Sequence, residues 1–254
     1  MRLDQFLVEH LNIRSRSQAQ DLIKAGKVSV KRDNRLLKSK SSLDVSESDT
    51  IEISEPEDIR FVSRAAHKLE KAIRSAGWDV SGHAVLDFGQ STGGFSQVLQ
   101  ENGASPVIGL EVGHGQIAES LVSIPEIITI EGLNARDSDA VKSAIVSTFA
   151  NSEIPILKYA VGDLSFISLQ HIFPTVAHVL AESGEGLFLV KPQFELSKRD
   201  LDKRGVVKSE DSYAEVEKTV TGFCQQSGFT VLNYFESSIQ GGDGNREFFI
   251  HFKK

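Results

Sequence analysis

Four polar residues stand where apolar ones would be cheaper. Lys68 lies in SRAAHKLEKAI, Asp163 in VGDLSFIS, Lys191 in LFLVKPQFE and Glu247 in GGDGNREFF. A lysine directly after the run GLFLV is a costly placement unless it is paired or used. Two amines and two carboxylates of this kind can orient a hydroxyl and carry its proton away. Taken singly, each has a plainer reading: Lys68 as a surface helix cation near Glu70, Glu247 as a guard on an edge strand. Phe194 after Lys191 suits either the core or a base-stacking face.

A second stretch, VLDFGQSTGGF at residues 85–95, is an apolar strand entering a glycine turn, the start of a nucleotide crevice in an α/β sheet. Its glycines fall at Gly89, Gly93 and Gly94, and Ser91 stands where a dinucleotide fingerprint wants its second glycine. Asp87, two residues ahead of the turn, would repel a pyrophosphate. It suits S-adenosylmethionine, which carries a positive sulfonium and amino group and no phosphate. Gly89 and Gly93 would let backbone lie close to such a ligand. Glu111 follows the next strand, where a carboxylate can accept both ribose hydroxyls, and Asn134 follows the third, placed to read the adenine edge. A tight strand-to-helix turn without a ligand is the alternative.

The elements that must position these residues are legible as alternating runs. Strands are predicted at 84–88, 106–110, 126–130, 157–162, 186–190, 229–235 and 247–252, with helices beginning near Gly93, Gly115, Asp137, Ser168 and Ser209. The alternation implies an α/β fold, a Rossmann-like, mostly parallel sheet with ligands at its carboxyl strand ends, closed by a hairpin from the last two strands. Ahead of it, Leu3, Phe6, Leu7 and Leu11 keep helical spacing; a second helix starts near Ser15, capped with Gln18, and ends at Gly26; VSV (28–30) and TIEI (50–53) read as strands about a KRDNR turn. The expected division is a small α+β domain over 1–55, a linker over 56–61 and the large domain over 62–254.

The chain has 254 residues, 40% hydrophobic and 25% charged, with net charge −7. Residues 1–40 hold ten Lys or Arg against four acids, and 41–58 hold seven acids and no base. A basic head, an acidic hinge and an acidic body suggest modules with different partners. Arg14, Arg16, Lys24, Lys27, Lys31 and Arg32 form a basic surface suited to phosphates of folded RNA, or simply a solvated face. The lone Cys224 excludes an internal disulfide and a cysteine-built zinc site, no metal is expected, and the charged N-terminus is not a signal peptide; a cytoplasmic protein is expected. No stretch has the ~20 apolar residues that span a bilayer.

The N-terminal order RLDQFLVEHLNIRSRSQAQDLIKAGKVSV resembles the small RNA-binding module named after ribosomal protein S-four, departing at 31–35 where KRDNR replaces an Asn-Gly turn. The blocks SRAAHKLE, LDFGQSTGGF, VGHGQ, DLSFIS, VKPQFE and GDGNREF together resemble the haemolysin A, or TlyA, family of ribosomal RNA methyltransferases, whose larger domain is of the FtsJ type. The resemblance implies a Lys–Asp–Lys–Glu catalytic tetrad at Lys68, Asp163, Lys191 and Glu247. It implies S-adenosylmethionine contacts at Gly89, Ser91, Gly93, Glu111, Asn134 and Asp163, and as partner ribosomal RNA or a ribosomal subunit, methylated on a ribose 2′-hydroxyl of cytidine. Departures are Ala65-Ala66 for a glycine pair, Gln90 for alanine and Glu111 for aspartate. Rival readings are an RNA-binding assembly factor without turnover, a membrane-active haemolysin, which the absence of an inserting segment disfavours, and a methyltransferase acting on a small molecule or protein, for which the basic head would have no use.

Overall fold

The computed structural model describes residues 1–254 apart from 12, 14, 15, 25, 34, 55–59, 242 and 243, and apart from the side chains of 17 and 21. It divides into two compact units, Met1–Arg64 and Ala65–Lys254, against an expected start of the second domain at 62. Arg14 and the expected Ser15 cap lie outside the described residues.

In the first unit, α1 (Leu3–His10) and α2 (Arg16–Lys24) precede β1 (Val28–Arg32), β2 (Arg35–Leu37) and β3 (Thr50–Ile53). The sheet order is β2-β1-β3, all antiparallel. Leu3, Phe6 and Leu7 face Leu22, Ile23, Val28 and Val30 in one small core. Lys31 and Arg32 belong to β1 rather than to the turn, because Arg32 pairs across the ladder with Arg35. The acidic stretch is not a hinge up to Ser54: it folds back as β3 along β1, and Glu52 and Asp49 meet Lys31 and Arg32 at 3.2 and 2.7 Å. Charges segregated along the sequence are thus neutralised across a sheet.

The second unit begins with α3 (Ala65–Ala76), whose Ala66, Leu69, Ala72 and Ile73 form a buried stripe. Then follow β4 (Ala84–Phe88), α4 (Gly94–Glu101), β5 (Val107–Leu110), α5 (Glu119–Val122), β6 (Ile127–Ile130), α6 (Ser138–Thr148), β7 (Leu157–Gly162), α7 (Phe173–Val179), β8 (Glu185–Val190), α8 (Pro192–Glu195), α9 (Asp211–Gln226), β9 (Thr230–Glu236) and β10 (Phe248–Lys253). One sheet takes the order β6-β5-β4-β7-β8-β10-β9. The strands β4 to β8 are parallel, and β10 runs against both β8 and β9. Both faces are covered, so β4, β5 and β8 are nearly unbroken apolar runs and were legible as such. The helix expected near Gly115 starts only at Glu119. Among the described residues no helix is long and apolar enough to cross a membrane.

Candidate active site

The reversal of β10 explains how residues far apart in sequence converge. Its first residue, Phe248, pairs with Val190, the last residue of β8. Glu247 and Lys191, one residue beyond each, therefore arrive at the same end of the sheet, where Asp163 leaves β7. Helix α3 crosses there and adds Lys68, whose Nζ donates to Glu247 Oε2 at 2.5 Å, both side chains being buried. Lys191 Nζ lies 2.7 Å from Asp163 Oδ1 and donates to Ser165 Oγ at 2.8 Å. The predicted quartet is thus brought together as two lysine–carboxylate pairs. Burial holds the Glu247 carboxyl above the usual range, against the pull of Lys68 and then Lys191, while the Asp163 charge pushes the same way as burial.

Neighbours that hold this arrangement carried no sequence signal of their own. Asn245, fully buried, accepts from Val207 N at 3.0 Å and donates to Gly205 O at 2.9 Å. Arg246 grips Glu236 at 2.6 and 3.0 Å and Glu210 at 2.7 Å while lying 4.9 Å from the Tyr213 ring centre. These contacts fix the backbone that leads into Glu247 and β10. Beside Lys191, Phe166 is 91% exposed with φ +63°, uncommon for an aromatic residue, and its ring centre lies 5.1 Å from that of Phe194. The pair makes an apolar ledge at the mouth of the site.

The glycine turn lies after β4. At Gly89, φ is +80° and a Cβ would stand 3.2 Å from Asp163 O, so the turn passes directly against the end of β7. At Gly93, φ is +91° and the Cβ position falls 2.6 Å from the side chains of Ile117 and Leu121. That glycine is required by the left-handed start of α4 and by packing against the segment after β5, so the space over it is taken by protein rather than offered to a ligand. Ser91 also has positive φ, and its N–H donates to Glu111 Oε2 at 2.9 Å. Asn134 is exposed, and its Oδ1 is turned back onto Arg136 N at 3.1 Å.

Asp87 does not line an open wall; it is completely buried. Ser96 Oγ donates to its Oδ2 at 2.7 Å, and its Oδ1 has no hydrogen-bond partner. Burial pushes the carboxyl up to about 7, the Ser96 bond working against this and the nearby Asp163 charge with it. Gln90 donates to Ser96 Oγ at 2.9 Å and lies where a Cβ on Gly109 would be, 2.0 Å from its side-chain carbon. The substituted residue therefore fills a slot that only a glycine on β5 leaves open. An acid with an orphaned oxygen, a second acid at Glu111 and a third at Asp163 fit a cationic guest.

In the first unit, Arg16 meets buried Asp4 at 3.1 Å, together with Arg2 at 3.0 Å and Gln20 at 2.9 Å. Arg16, Lys31 and Arg32 of the predicted RNA surface are thus each tied to an acid. Lys24 and Arg35, which the sequence places on the basic surface, are exposed, as are Lys38 and Lys40, which sequence reasoning did not single out as binding residues. Lys27 is half-buried.

A parallel sheet with one reversed strand, opened by a turn that gathers carboxylates instead of cradling phosphate, is the class of Rossmann-like S-adenosylmethionine-dependent methyltransferases. The chain belongs to the FtsJ-like methyltransferase family, whose model matches residues 61–254, and it carries an S4 domain match over residues 1–30. It is 35% identical over 252 residues to Hemolysin A of Brachyspira hyodysenteriae, covering 99% of each chain. It is 34% identical to the 16S/23S rRNA (cytidine-2′-O)-methyltransferase TlyA of Mycobacterium tuberculosis, covering 98% of this chain and 88% of that one. The solved structure of a candidate hemolysin from Streptococcus thermophilus superposes with TM-score 0.75 at 32% identity, over 100% of this chain and 88% of that one.

Proposed function

We propose that this chain methylates the ribose 2′-hydroxyl of a cytidine in ribosomal RNA, with S-adenosylmethionine as the methyl donor. The observation that carries the reading is the pairing of Lys191 with Asp163 and of Lys68 with Glu247 at one end of the sheet, beside the acid-lined turn. The relatives named above for such a reaction or for haemolysis match over nearly the whole chain. The tetrad favours turnover over a purely binding role, since an assembly factor has no use for a buried lysine–carboxylate pair beside a second, half-buried one.

When bound, the cofactor supplies a methyl group already activated by its positive sulfur. Lys191, braced by Asp163 and Ser165, holds the acceptor oxygen in line. The Lys191–Asp163 pair would receive the hydroxyl proton as the methyl group is transferred. Lys68 and Glu247 fix the ribose and the position of Lys191. The Phe166–Phe194 ledge offers a face to the base. Exposed Lys24, Arg35, Lys38 and Lys40 supply phosphate contacts from the first unit. Because the donor is activated, positioning supplies most of the acceleration.

The test is tritium transfer from labelled S-adenosylmethionine to isolated ribosomal subunits, followed by mapping of ribose methylation. Lys191→Ala is expected to lower the rate at least ~100-fold with cofactor affinity nearly unchanged. Wild-type transfer to protein or small molecules but not to ribosomal RNA would overturn the reading.

A further inference from the structure

Glu111 is more fully occupied than a ribose-binding carboxylate should be. It is buried, and its Oε2 accepts from Ser91 N at 2.9 Å. Its Oε1 accepts twice, from Gly113 N at 2.8 Å and from Gln116 Nε2 at 3.1 Å. An ionised carboxylate offers about four acceptor positions, two on each oxygen. Three are taken, and the one left is on Oε2. A vicinal diol gripped by both oxygens needs one position on each, so one of the two donors on Oε1 has to yield.

The two donors differ in how easily they can move. Gly113 N is backbone, in a turn closed by the Gly132 N–H bond to Gly113 O at 3.3 Å. Gln116 reaches Glu111 through a flexible side chain on an exposed residue, lying over Gly113 where a Cβ would stand 2.1 Å from its amide nitrogen. Its other amide atom, Oε1, accepts from Ser91 Oγ at 3.4 Å. The carboxamide thus donates to the acid and accepts from a hydroxyl, the same pair of roles that a ribose hydroxyl would play there.

We infer that Gln116 is a stand-in for the ribose of the cofactor: its amide donates to Glu111 Oε1 and is displaced when the diol takes that position. The inference rests on the reading of this crevice as the S-adenosylmethionine site. Its function is to keep a buried carboxylate satisfied between turnovers, and its consequence is a built-in competitor that sets how readily product leaves. Side-chain rotation into solvent is the only movement required.

The experiment is calorimetric titration of the full chain with S-adenosylhomocysteine and with its 2′-deoxy analogue. In Gln116→Ala, and in Gln116→Met, which keeps the length without a donor, the competitor is gone. Both are expected to bind S-adenosylhomocysteine about fivefold tighter than wild type, the worth of one net hydrogen bond. The 2′-deoxy analogue needs only the open position on Oε2, so its affinity should be the same in all three chains. Unchanged or weaker binding of S-adenosylhomocysteine by the variants, or an equal gain for the deoxy analogue, overturns the inference. A wild-type chain that binds neither S-adenosylhomocysteine nor S-adenosylmethionine overturns instead the reading of the crevice.

Discussion

Among the described residues, Asp4 and Asp87 are both without solvent exposure, and they are opposites. Asp4, in the first unit, is covered by its own partners near the surface: Arg2, Arg16 and Gln20 converge on it. The Arg2 bond, against the pull of burial and helped by Gln20 and Arg16, holds its carboxyl well below the usual range. Asp87 lies deep under the glycine turn with one hydroxyl donor and an orphaned oxygen, and burial pushes it up to about 7. Two acids with no exposed surface thus titrate in opposite directions: the first is shallow and supplied with counter-charge by the fold, and the second is deep and has none. Asp4 stabilises its unit; Asp87 costs stability that a cationic ligand can return.

The largest effect expected from breaking this contrast is at Asp87. Asp87→Asn removes a buried charge from the chain and its attraction for a positive guest. Affinity for S-adenosylmethionine should fall about 10–100-fold, the range for a buried charge acting on a cation a few ångströms away without touching it, while Tm at pH 7.5 rises by roughly 2–6 °C. Calorimetry and a melting curve on one sample check both; a fall in both would show that Asp87 is structural. Next in size is the response to pH. The folded carboxyl titrates near 7, above its unfolded value of 3.8, so the charged form is penalised in the fold. Stability from this group is therefore highest at low pH and declines as pH rises from about 4 to 7, whereas affinity for a cation runs the other way. Between pH 8 and pH 6 the affinity should weaken about tenfold, and Asp87→Asn should flatten that slope. Asp4 has the reverse sign. Its contribution is present above pH 4 and is lost below it, and Asp4→Ala should cost the first unit about 1–2 kcal/mol after discounting its half-exposed arginine partners. Denaturant unfolding followed on the S4 unit measures this, and cofactor affinity should not move.

The same contrast explains what could be read in the sequence. The central strands were legible because a parallel strand covered on both faces has to be apolar throughout, as AVLDF and EGLFLV are. Lys191 was legible as a residue in need of a partner, because a lysine at the end of such a strand demands one, and it meets Asp163 at the end of β7; the pairing of Lys68 with Glu247 could not be read, because it depends on the reversed β10. Within the acidic stretch the strand TIEI was legible, but the charge run suggested a hinge, because a run of one sign looks like one until its partners are known; Glu52 and Asp49 form ion pairs with Lys31 and Arg32. The late start of α5 follows from Gly113 and Gly115, which keep the chain wrapped around Glu111 and Glu131 before a helix can begin. Gln116, Ser165 and Asn245 were invisible as roles, since each works through one contact made only after folding.

The smallest expected effect is the one that best separates depth from counter-charge. Ser96 provides the hydrogen bond that favours the ionised form of Asp87, and it stands in line with Gln90, which donates to the same hydroxyl at 2.9 Å. Ser96→Ala leaves burial intact, removes that donor and frees the Gln90 amide to turn toward the acid. If counter-charge is what distinguishes Asp87 from Asp4, the midpoint of the pH dependence of cofactor binding should move upward by under a unit. Affinity at pH 8.5, where the acid is ionised in either chain, should then be nearly that of wild type. If depth alone governs the acid, the midpoint stays near 7 and the loss appears equally at every pH. The readout is a titration series, since a single affinity at neutral pH would not distinguish the two, and the Gln90→Ala, Ser96→Ala double variant should move the midpoint further in the same direction, because the amide can no longer replace the hydroxyl.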